Sequence, residues 1–591
     1  MIQRIFDIVA QRAAQTPTET LFAHKEDGTW QEWTAQACWT QALQLAAGLQ
    51  SLGLRGSITE AVEAREKIVI ISPSRPEWII TDIGVQMSGA ILTPLYPTMQ
   101  PSELQFILKE TGVRYVFLSG KDTYRRFGPI LQETEGIEAI FTFDPVEGLR
   151  SWTELMHVNQ TLPEQQLQTI PADSVATIIY TSGTTGEPKG VMLTHRNICA
   201  NILQAMPSFT FAEPGKRALS FLPLNHVFER TISYLYLHGG LSIWYAEGLE
   251  TIGDNLKEVA PIVFSTVPRL LEKVYEKLVA KGLELTGTKR KIYFWAMDLA
   301  RAYDNARSGS FGYRMKLALA DRLVLSKWRA ALGGNIRAIV CGSAALQTRL
   351  NRIFSATGMV VMEGYGLTEA SPFISCNRYE SEGRRIGTIG PVLDGIEAKL
   401  SDDGEILVRG ENIMQGYYKR PEQTAEVLQD GWLHTGDIGT WVEGRFLKIT
   451  DRKKEIFKNS GGKYIAPQPI ENKLRESPYI EQIMIFGAGE KYVSALIVPA
   501  FGRIRKWLAD QNHPVPETAA ELIARPEVKQ LLKKQIDWLS ADFSSVERVK
   551  KFTLLLHEWT AEQGELTPSL KLRRKIIEQR YAADIAALYS T

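Results

Sequence analysis

A chain of 591 residues with 44% hydrophobic side chains exceeds the size at which one core stops growing, so at least two domains are expected. Its 68 Lys and Arg nearly cancel its 67 Asp and Glu, which excludes a whole-chain nucleic-acid or membrane footprint and leaves only local patches. Four scattered cysteines, Cys38, Cys199, Cys341 and Cys376, have neither metal-ligand spacing nor the density of a secreted disulfide scaffold. Buried thiols in a reducing, cytoplasmic setting are expected.

In chain order, residues 1–10 lack a sustained apolar core and meet Asp7 early, which reads as an amphipathic helix rather than a signal peptide. Apolar β-rich runs at 67–71, 90–95, 115–118 and 139–142 alternate with helical patterns at 78–87 and 101–110, the signature of α/β layers with largely parallel sheets. Two further apolar runs, 175–180 and 190–193, flank the segment from Tyr180 to Gly190 and predict a hairpin.

That segment holds Thr181, Ser182, Thr184 and Thr185, the glycines Gly183, Gly186 and Gly190, and Lys189. Glycines let backbone N–H groups approach an anion, hydroxyls add compact donors, and lysine brings a point charge. A ligand-free surface turn is the bland alternative. The spacing is not that of a P-loop, which needs Gly-Lys-Ser/Thr running into a helix.

Beyond it, residues 232–245 read as a buried helix and core strand, too short and too interrupted at His238-Gly239-Gly240 to span a bilayer. Strands are expected at 262–266 and 338–341, with a Lys/Arg/Ala/Leu-rich helical stretch at 270–332 between them. From 398 to 449 the pattern turns to short strands, for example 404–408 and 445–449, and Asp451-Arg452-Lys453-Lys454 interrupts it with charge. Two domains are expected: 1–450, containing the helical insertion and the β-rich subdomain 398–449, and a smaller mobile α+β domain, 451–591.

A series of short motifs follows the hydroxyl-rich run: Leu222-Pro223-Leu224-Asn225-His226, Thr266-Val267-Pro268-Arg269, Cys341-Gly342-Ser343-Ala344-Ala345-Leu346, Glu363-Gly364-Tyr365-Gly366-Leu367-Thr368-Glu369, Trp432-Leu433-His434-Thr435-Gly436-Asp437, Asp451-Arg452-Lys453-Lys454 and Leu566-Thr567-Pro568-Ser569-Leu570-Lys571. In that order over most of the chain, they resemble the adenylate-forming superfamily of acyl-CoA synthetases, peptide-synthetase adenylation domains and luciferases. The 270–332 insertion and Phe228-Glu229-Arg230 are similar to the long-chain fatty acyl branch.

The resemblance implies activation of a fatty acid by ATP and Mg²⁺, with pyrophosphate released, and transfer of the acyl group to CoA. Residues 181–186 and Lys189 would hold the β- and γ-phosphates. Glu369 would bind Mg²⁺, Thr368 would meet the α-phosphate, and the Gly342-Ser343-Ala344 turn with Glu363, Gly364, Tyr365 and Gly366 would line the adenine site. Asp437 and Arg452 match the ribose-binding pair. His226 would border the acyl carboxylate, although alone it would read as a packed turn residue. Lys571 matches the adenylation lysine, with Arg573, Arg574 and Lys575 as alternatives close by. Lys454 matches the hinge for rotation of the C-terminal domain, and Gly461, Gly462 and Lys463 match the loop presented to CoA. Some fatty-acyl ligases gate the acyl tunnel with a tryptophan where this chain has Arg230.

A separate acyl carrier protein as acceptor, a luciferase-like oxygenase and a non-catalytic nucleotide scaffold remain the alternatives. No nucleic-acid partner is expected. A homodimer is compatible with the sequence, as is peripheral membrane contact through Lys550-Lys551 and the basic run 571–580 or through the insertion.

Overall fold

The structure, a computed structural model, describes residues 2–157, 162–182, 187–305, 310–567 and 571–590. They divide into two compact units, one of residues 1–399, 407–434 and 442–447, the other of residues 400–406, 435–441 and 448–591.

The larger unit is built on two eight-stranded sheets. In the first, the edge strand Gly416–Tyr417 is followed by Pro188–Thr194, Val175–Ser182, Ile91–Leu95, Lys67–Ile71, Tyr115–Leu118, Ala139–Thr142 and Arg150–Ser151. The hairpin and its edge strand are antiparallel, and the remaining pairs are parallel. The second sheet runs Phe373–Cys376, Val360–Gly366, Ala338–Cys341, Val263–Thr266, Arg217–Ser220, Ser242–Tyr245, Thr20–Glu26 and Thr29–Thr34. Its parallel centre carries one antiparallel pair at each end. The expected strands are present with ends displaced by one to three residues. The first antiparallel pair, Thr20–Glu26 with Thr29–Thr34, was not legible because its outer strand, Thr29–Thr34, is half exposed and lacks an apolar run.

Two helices of this unit are buried all round. Every residue of Pro76–Met87 is buried, as is every residue of Val227–His238 up to Leu237. A helix buried on every side has no solvent face to offer and belongs inside a layered fold. The polar groups of Val227–His238 show what it lies between. Arg230 donates to the Thr177 hydroxyl of the first sheet at 2.8 Å. Glu229 accepts from Ser220 at 2.6 Å and from Ser265, both on the second sheet.

The stretch 270–332 holds the helices Pro268–Glu284, Gly287–Arg301, Phe311–Ala320 and Ser326–Ala331, with a π-helical turn at Asp321–Leu325. They pack through Leu271, Tyr275, Tyr293, Met297, Val324 and Trp328. The four cysteines are buried thiols. The N-terminal helix begins later than expected, at Asp7–Gln15.

The smaller unit contains a three-stranded sheet, Ile480–Phe486, Ser494–Pro499 and Lys551–Leu554. Alternate residues of its strands feed two cores: Ile483, Ile485 and Ile497 join one, Met484, Phe486 and Leu496 the other. A period of two with both faces apolar requires cover on both sides. Helices Pro467–Leu474 and Pro526–Leu539 cover one face, and Arg574–Arg580 and Ala582–Tyr589 the other.

Candidate active site

The hydroxyl-rich run lies on the hairpin of the first sheet, and the strands reach further into it than the sequence suggested. Thr181 pairs with Lys189 and Ser182 with Pro188, so the backbone at both ends of the loop is held in the ladder. Gly183, Thr184, Thr185 and Gly186, with the side chain of Ser182, lie outside the described residues. The short strand Gly416–Tyr417 pairs with the outer arm of the hairpin, Tyr417 opposite Val191. Its Tyr417 ring sits 5.2 Å from the Lys189 ammonium, and its hydroxyl donates to Glu369 Oε1 at 2.7 Å. Lys189 and Glu369, 180 positions apart in the chain, are therefore joined through one aromatic side chain. Burial and the neighbouring Glu369 carboxylate push the Tyr417 phenol well up, so it stays a donor. Nothing in the sequence motifs singled out Tyr417.

The loop that carries Thr368 and Glu369 is fixed from several sides. Asn201 and Asn412, both fully buried, donate to the carbonyls of Phe373 and Ala370 at 2.7 and 2.9 Å. The Met414 N–H donates to the Glu369 carbonyl at 2.9 Å. Gly366 passes so close to the next strand that a Cβ there would stand 1.6 Å from the Pro372 carbonyl oxygen. Only glycine fits that crossing.

His226, Gly342 and the Tyr365 strand are also brought together, through two packed rings. The Phe228 ring would lie 3.1 Å from a Cβ built on Gly342, and it packs edge-on against Phe373, 5.8 Å between centroids. Phe373 in turn lies 3.4 Å from the Cβ position of Gly364. Ser343 holds a left-handed conformation, φ +68°, at the turn after Ala338–Cys341. Tyr365 is buried. His226 caps Val227–His238, its Nδ1 accepting from the Phe228 N–H at 3.1 Å, which leaves the proton of a neutral ring on Nε2.

Glu363 and Arg230 are engaged internally. The Glu363 carboxyl accepts from Asn351 at 2.7 Å, and burial pushes it up to about 7. The Arg230 guanidinium, 1% exposed, donates from Nε to Asp82 Oδ2 at 2.8 Å; Tyr234 donates to the same oxygen at 2.7 Å. At the position discussed as a tunnel gate, this chain has a sealed ion pair.

In the smaller unit, Asp437 and Arg452 meet: Arg452 Nε lies 3.2 Å from Asp437 Oδ1, with the carboxylate buried and the guanidinium half exposed. The strand Trp432–Val442 needs glycine just before Asp437, since Gly436 has φ +73°. It is tied by the Gly436 N–H to Glu405 at 2.9 Å, a carboxylate that Lys453 also reaches at 2.9 Å. Lys454 follows in an exposed turn closed by N–H bonds from Glu455 and Ile456 to the Arg452 carbonyl. Next to it, Asp451 is buried, and this desolvation pushes its carboxyl up to about 7. Gly461, Gly462 and Lys463 form the exposed tip of the hairpin Phe457–Lys458 and Tyr464–Ile465, closed by Asn459, whose Oδ1 accepts from the Lys463 N–H at 2.9 Å.

Lys571 is partly buried, and its backbone is pinned by reciprocal bonds: the Lys571 N–H to the Thr567 hydroxyl at 3.0 Å, and the Thr567 N–H to the Lys571 carbonyl at 2.8 Å. Pro568, Ser569 and Leu570 lie outside the described residues. The neighbouring Arg574 is not available for the same role. It is partly buried, with Nη2 at 2.7 Å from both Glu471 oxygens and Nε at 3.0 Å from Glu455. Arg580 is paired with Glu565. These two cations are withdrawn from the basic run 571–580.

Comparison with known proteins identifies the family and the fold. Residues 9–418 match the AMP-binding enzyme family, and residues 455–591 match the AMP-binding enzyme C-terminal domain. The chain is similar to the long-chain-fatty-acid–CoA ligase FadD15 of Mycobacterium bovis, 32% identical over 99% of this chain and 96% of that protein. It is also similar to human long-chain-fatty-acid–CoA ligase 1, 32% identical over 89% of this chain and 78% of that one. Among solved structures, the adenylation domain of a carboxylate reductase from Mycobacterium chelonae superposes with a TM-score of 0.76 at 20% identity, over 100% of this chain and 91% of that one. The fold is that of the adenylate-forming enzymes, and the chain belongs to the AMP-binding enzyme family.

Proposed function

We propose that this protein is an ATP-dependent long-chain fatty acid:CoA ligase. The fatty acid carboxylate attacks the α-phosphorus of ATP, and the bond to the β-phosphate breaks, giving acyl-AMP and pyrophosphate. The thiol of CoA, losing its proton, then attacks the acyl carbon, and AMP leaves. The observation that carries this reading is the 32% identity to a long-chain-fatty-acid–CoA ligase along 99% of the chain.

The chemistry assigns a task to each group. The hairpin backbone and Lys189 take the leaving β- and γ-phosphates, and Lys571 offsets the charge that builds between carboxylate and α-phosphate. Thr368, at the start of the Glu369 turn, is the α-phosphate donor. Asp437 accepts from the ribose hydroxyls, with Arg452 as its partner. Gly342-Ser343-Ala344 and Glu363-Gly364-Tyr365-Gly366 border the base. His226 presents Nε2–H toward the acyl carboxylate as a hydrogen-bond donor, because its Nδ1 is occupied by the Phe228 N–H. The exposed tip Gly461-Gly462-Lys463 receives the pantetheine arm, and the exposed turn at Lys454 is where the backbone changes between the two half-reactions.

Mg²⁺ fits this donor set. Among the described residues, no three His, Cys, Asp or Glu side chains gather into a metal site. One carboxylate suits an ion held mainly by phosphate oxygens and water. Glu369 is that carboxylate, and the ion would neutralise phosphate charge there.

The test is pyrophosphate release from purified protein with ATP and Mg²⁺ across short to very long fatty acids, with and without CoA. Rapid CoA-dependent turnover on long chains is expected. A single burst that CoA does not extend would transfer the acceptor role to another molecule, and no release with any acid would overturn the reading.

A further inference from the structure

The helix Phe311–Ala320 continues through the π-helical turn Asp321–Leu325 into Ser326–Ala331. Its inner side is anchored: Ala320, Val324, Leu325 and Trp328 are buried, and the Tyr313 hydroxyl donates to the Leu299 carbonyl of the preceding helix at 2.9 Å. Its outer side carries Phe311, Met315, Leu319 and Leu323, which are 75, 58, 51 and 39% exposed. Among the described residues, eleven large hydrophobic side chains are exposed, and these four fall on one helix at a spacing of four. In an α-helix that spacing drifts by about 40° per step. The wider π turn takes drift back at Leu323, so the four form a single stripe.

The stripe is set among cations. Residues 311–331 contain five basic side chains and one acid, Asp321, which pairs with Arg329. Arg314, Lys316, Arg322 and Lys327 remain, all exposed. The surrounding insertion, 270–332, has thirteen Lys and Arg against six Asp and Glu, a net +7 in a chain whose total is +1. The charge absent from the whole-chain balance is concentrated here.

From this geometry we propose that the outer face of Phe311–Leu323 is an interfacial helix that docks on bilayers containing anionic phospholipid. The apolar stripe enters the head-group boundary while the long basic side chains beside it stay at the level of the phosphates. Charge argues against a second copy as the occupant, because a symmetric contact would set the same four cations against one another. A lipid surface supplies both complements at once. That such docking would deliver an acyl substrate dissolved in the membrane rests on the ligase reading above; the docking itself does not.

Flotation of the full-length protein with phosphatidylcholine vesicles, with and without phosphatidylglycerol, at low and high salt, tests this. The wild type is expected to float with the anionic vesicles and to be released by salt. The double variant Phe311→Ser/Leu319→Ser should lower the bound fraction about tenfold or more while leaving thermal unfolding unchanged, because both side chains already face water. Trp538→Ser, which removes an exposed aromatic from the other unit, should float like the wild type. The proposal is overturned if the wild type stays unbound with anionic vesicles, as it would if the stripe served a protein partner. It is also overturned if the double variant floats equally well, or if light scattering shows a wild-type dimer that the double variant dissolves. Flotation needs no turnover, so protein that floats yet forms no acyl-CoA removes the ligase reading and leaves the docking face in place.

Discussion

The Tyr417 hydroxyl donates to Glu369 Oε1 at 2.7 Å while its ring lies 5.2 Å from the Lys189 ammonium. One side chain thus touches both Lys189 and the carboxylate proposed for Mg²⁺. Tyr417→Phe keeps the ring and removes only the bond to a charged acceptor, worth about 1.5–3 kcal/mol. Pyrophosphate release should show kcat/KM for ATP lower by about 10- to 100-fold, with more Mg²⁺ needed for half-maximal rate. A variant with wild-type Mg²⁺ dependence would deny Tyr417 this role.

Lys571→Ala should slow adenylation by about 10²- to 10³-fold, the usual loss for a donor that meets developing charge. Thioester formation from pre-made acyl-AMP and CoA should continue near the wild-type rate. Equal losses in both half-reactions would instead make Lys571 a general binding residue. Arg574→Ala should behave differently: it leaves Glu471 buried without its partner and lowers stability, visible as a reduced melting temperature.

Gly366→Ala places a methyl 1.6 Å from the Pro372 carbonyl oxygen, so the crossing must open and stability should fall by roughly 3 kcal/mol or more. Gly364→Ala meets Phe373 at 3.4 Å, near ordinary contact, and should cost about 1 kcal/mol or less. Urea unfolding of the pair measures the difference. Similar losses would mean that the crossing yields more easily than its geometry implies.

Glu229 is fully buried, and desolvation pushes its carboxyl from 4.5 up to about 7 despite the Ser220 and Ser265 hydroxyls. The folded chain keeps this proton where the unfolded chain has lost it. Its contribution is therefore most favourable below about pH 4.5, declines as pH rises, and levels off above about pH 7. Glu229→Gln removes this decline, so its stability relative to wild type should rise between about pH 5 and pH 7, by up to about 3 kcal/mol. Thermal melts across that range test it, and a constant difference would show that Glu229 does not titrate there.

Asp82 and Arg230 form a buried pair joining the two enclosed helices. Asp82→Asn leaves an uncompensated guanidinium and should cost about 3–5 kcal/mol. The double change Asp82→Leu/Arg230→Leu should recover much of that loss. Chemical unfolding of both variants measures the recovery, and a double variant as unstable as the single one would mean that packing rather than charge dominates.

The sequence by itself determined the layered α/β class, the hydroxyl-rich hairpin and the ordered motifs that place the chain among the AMP-binding enzymes. These are local signals: apolar period, glycine at turns, and residues close together in the chain. It also offered Asp437, Arg452 and Lys571 as candidates, because each lies inside its own short motif. Tyr417 was not legible, because its meaning depends on a two-residue edge strand adding to a hairpin more than 200 residues earlier. Arg230 read as a departure from a gate; only strand and helix order brings it to Asp82, 148 positions away, and turns it into a closed ion pair. The stripe at Phe311, Met315, Leu319 and Leu323 was not legible in the sequence, since a spacing of four is the same whether a face is buried or bare. Which face met water was decided when Val324, Leu325 and Trp328 took the inner side, a choice made by packing between distant segments and invisible to local periodicity.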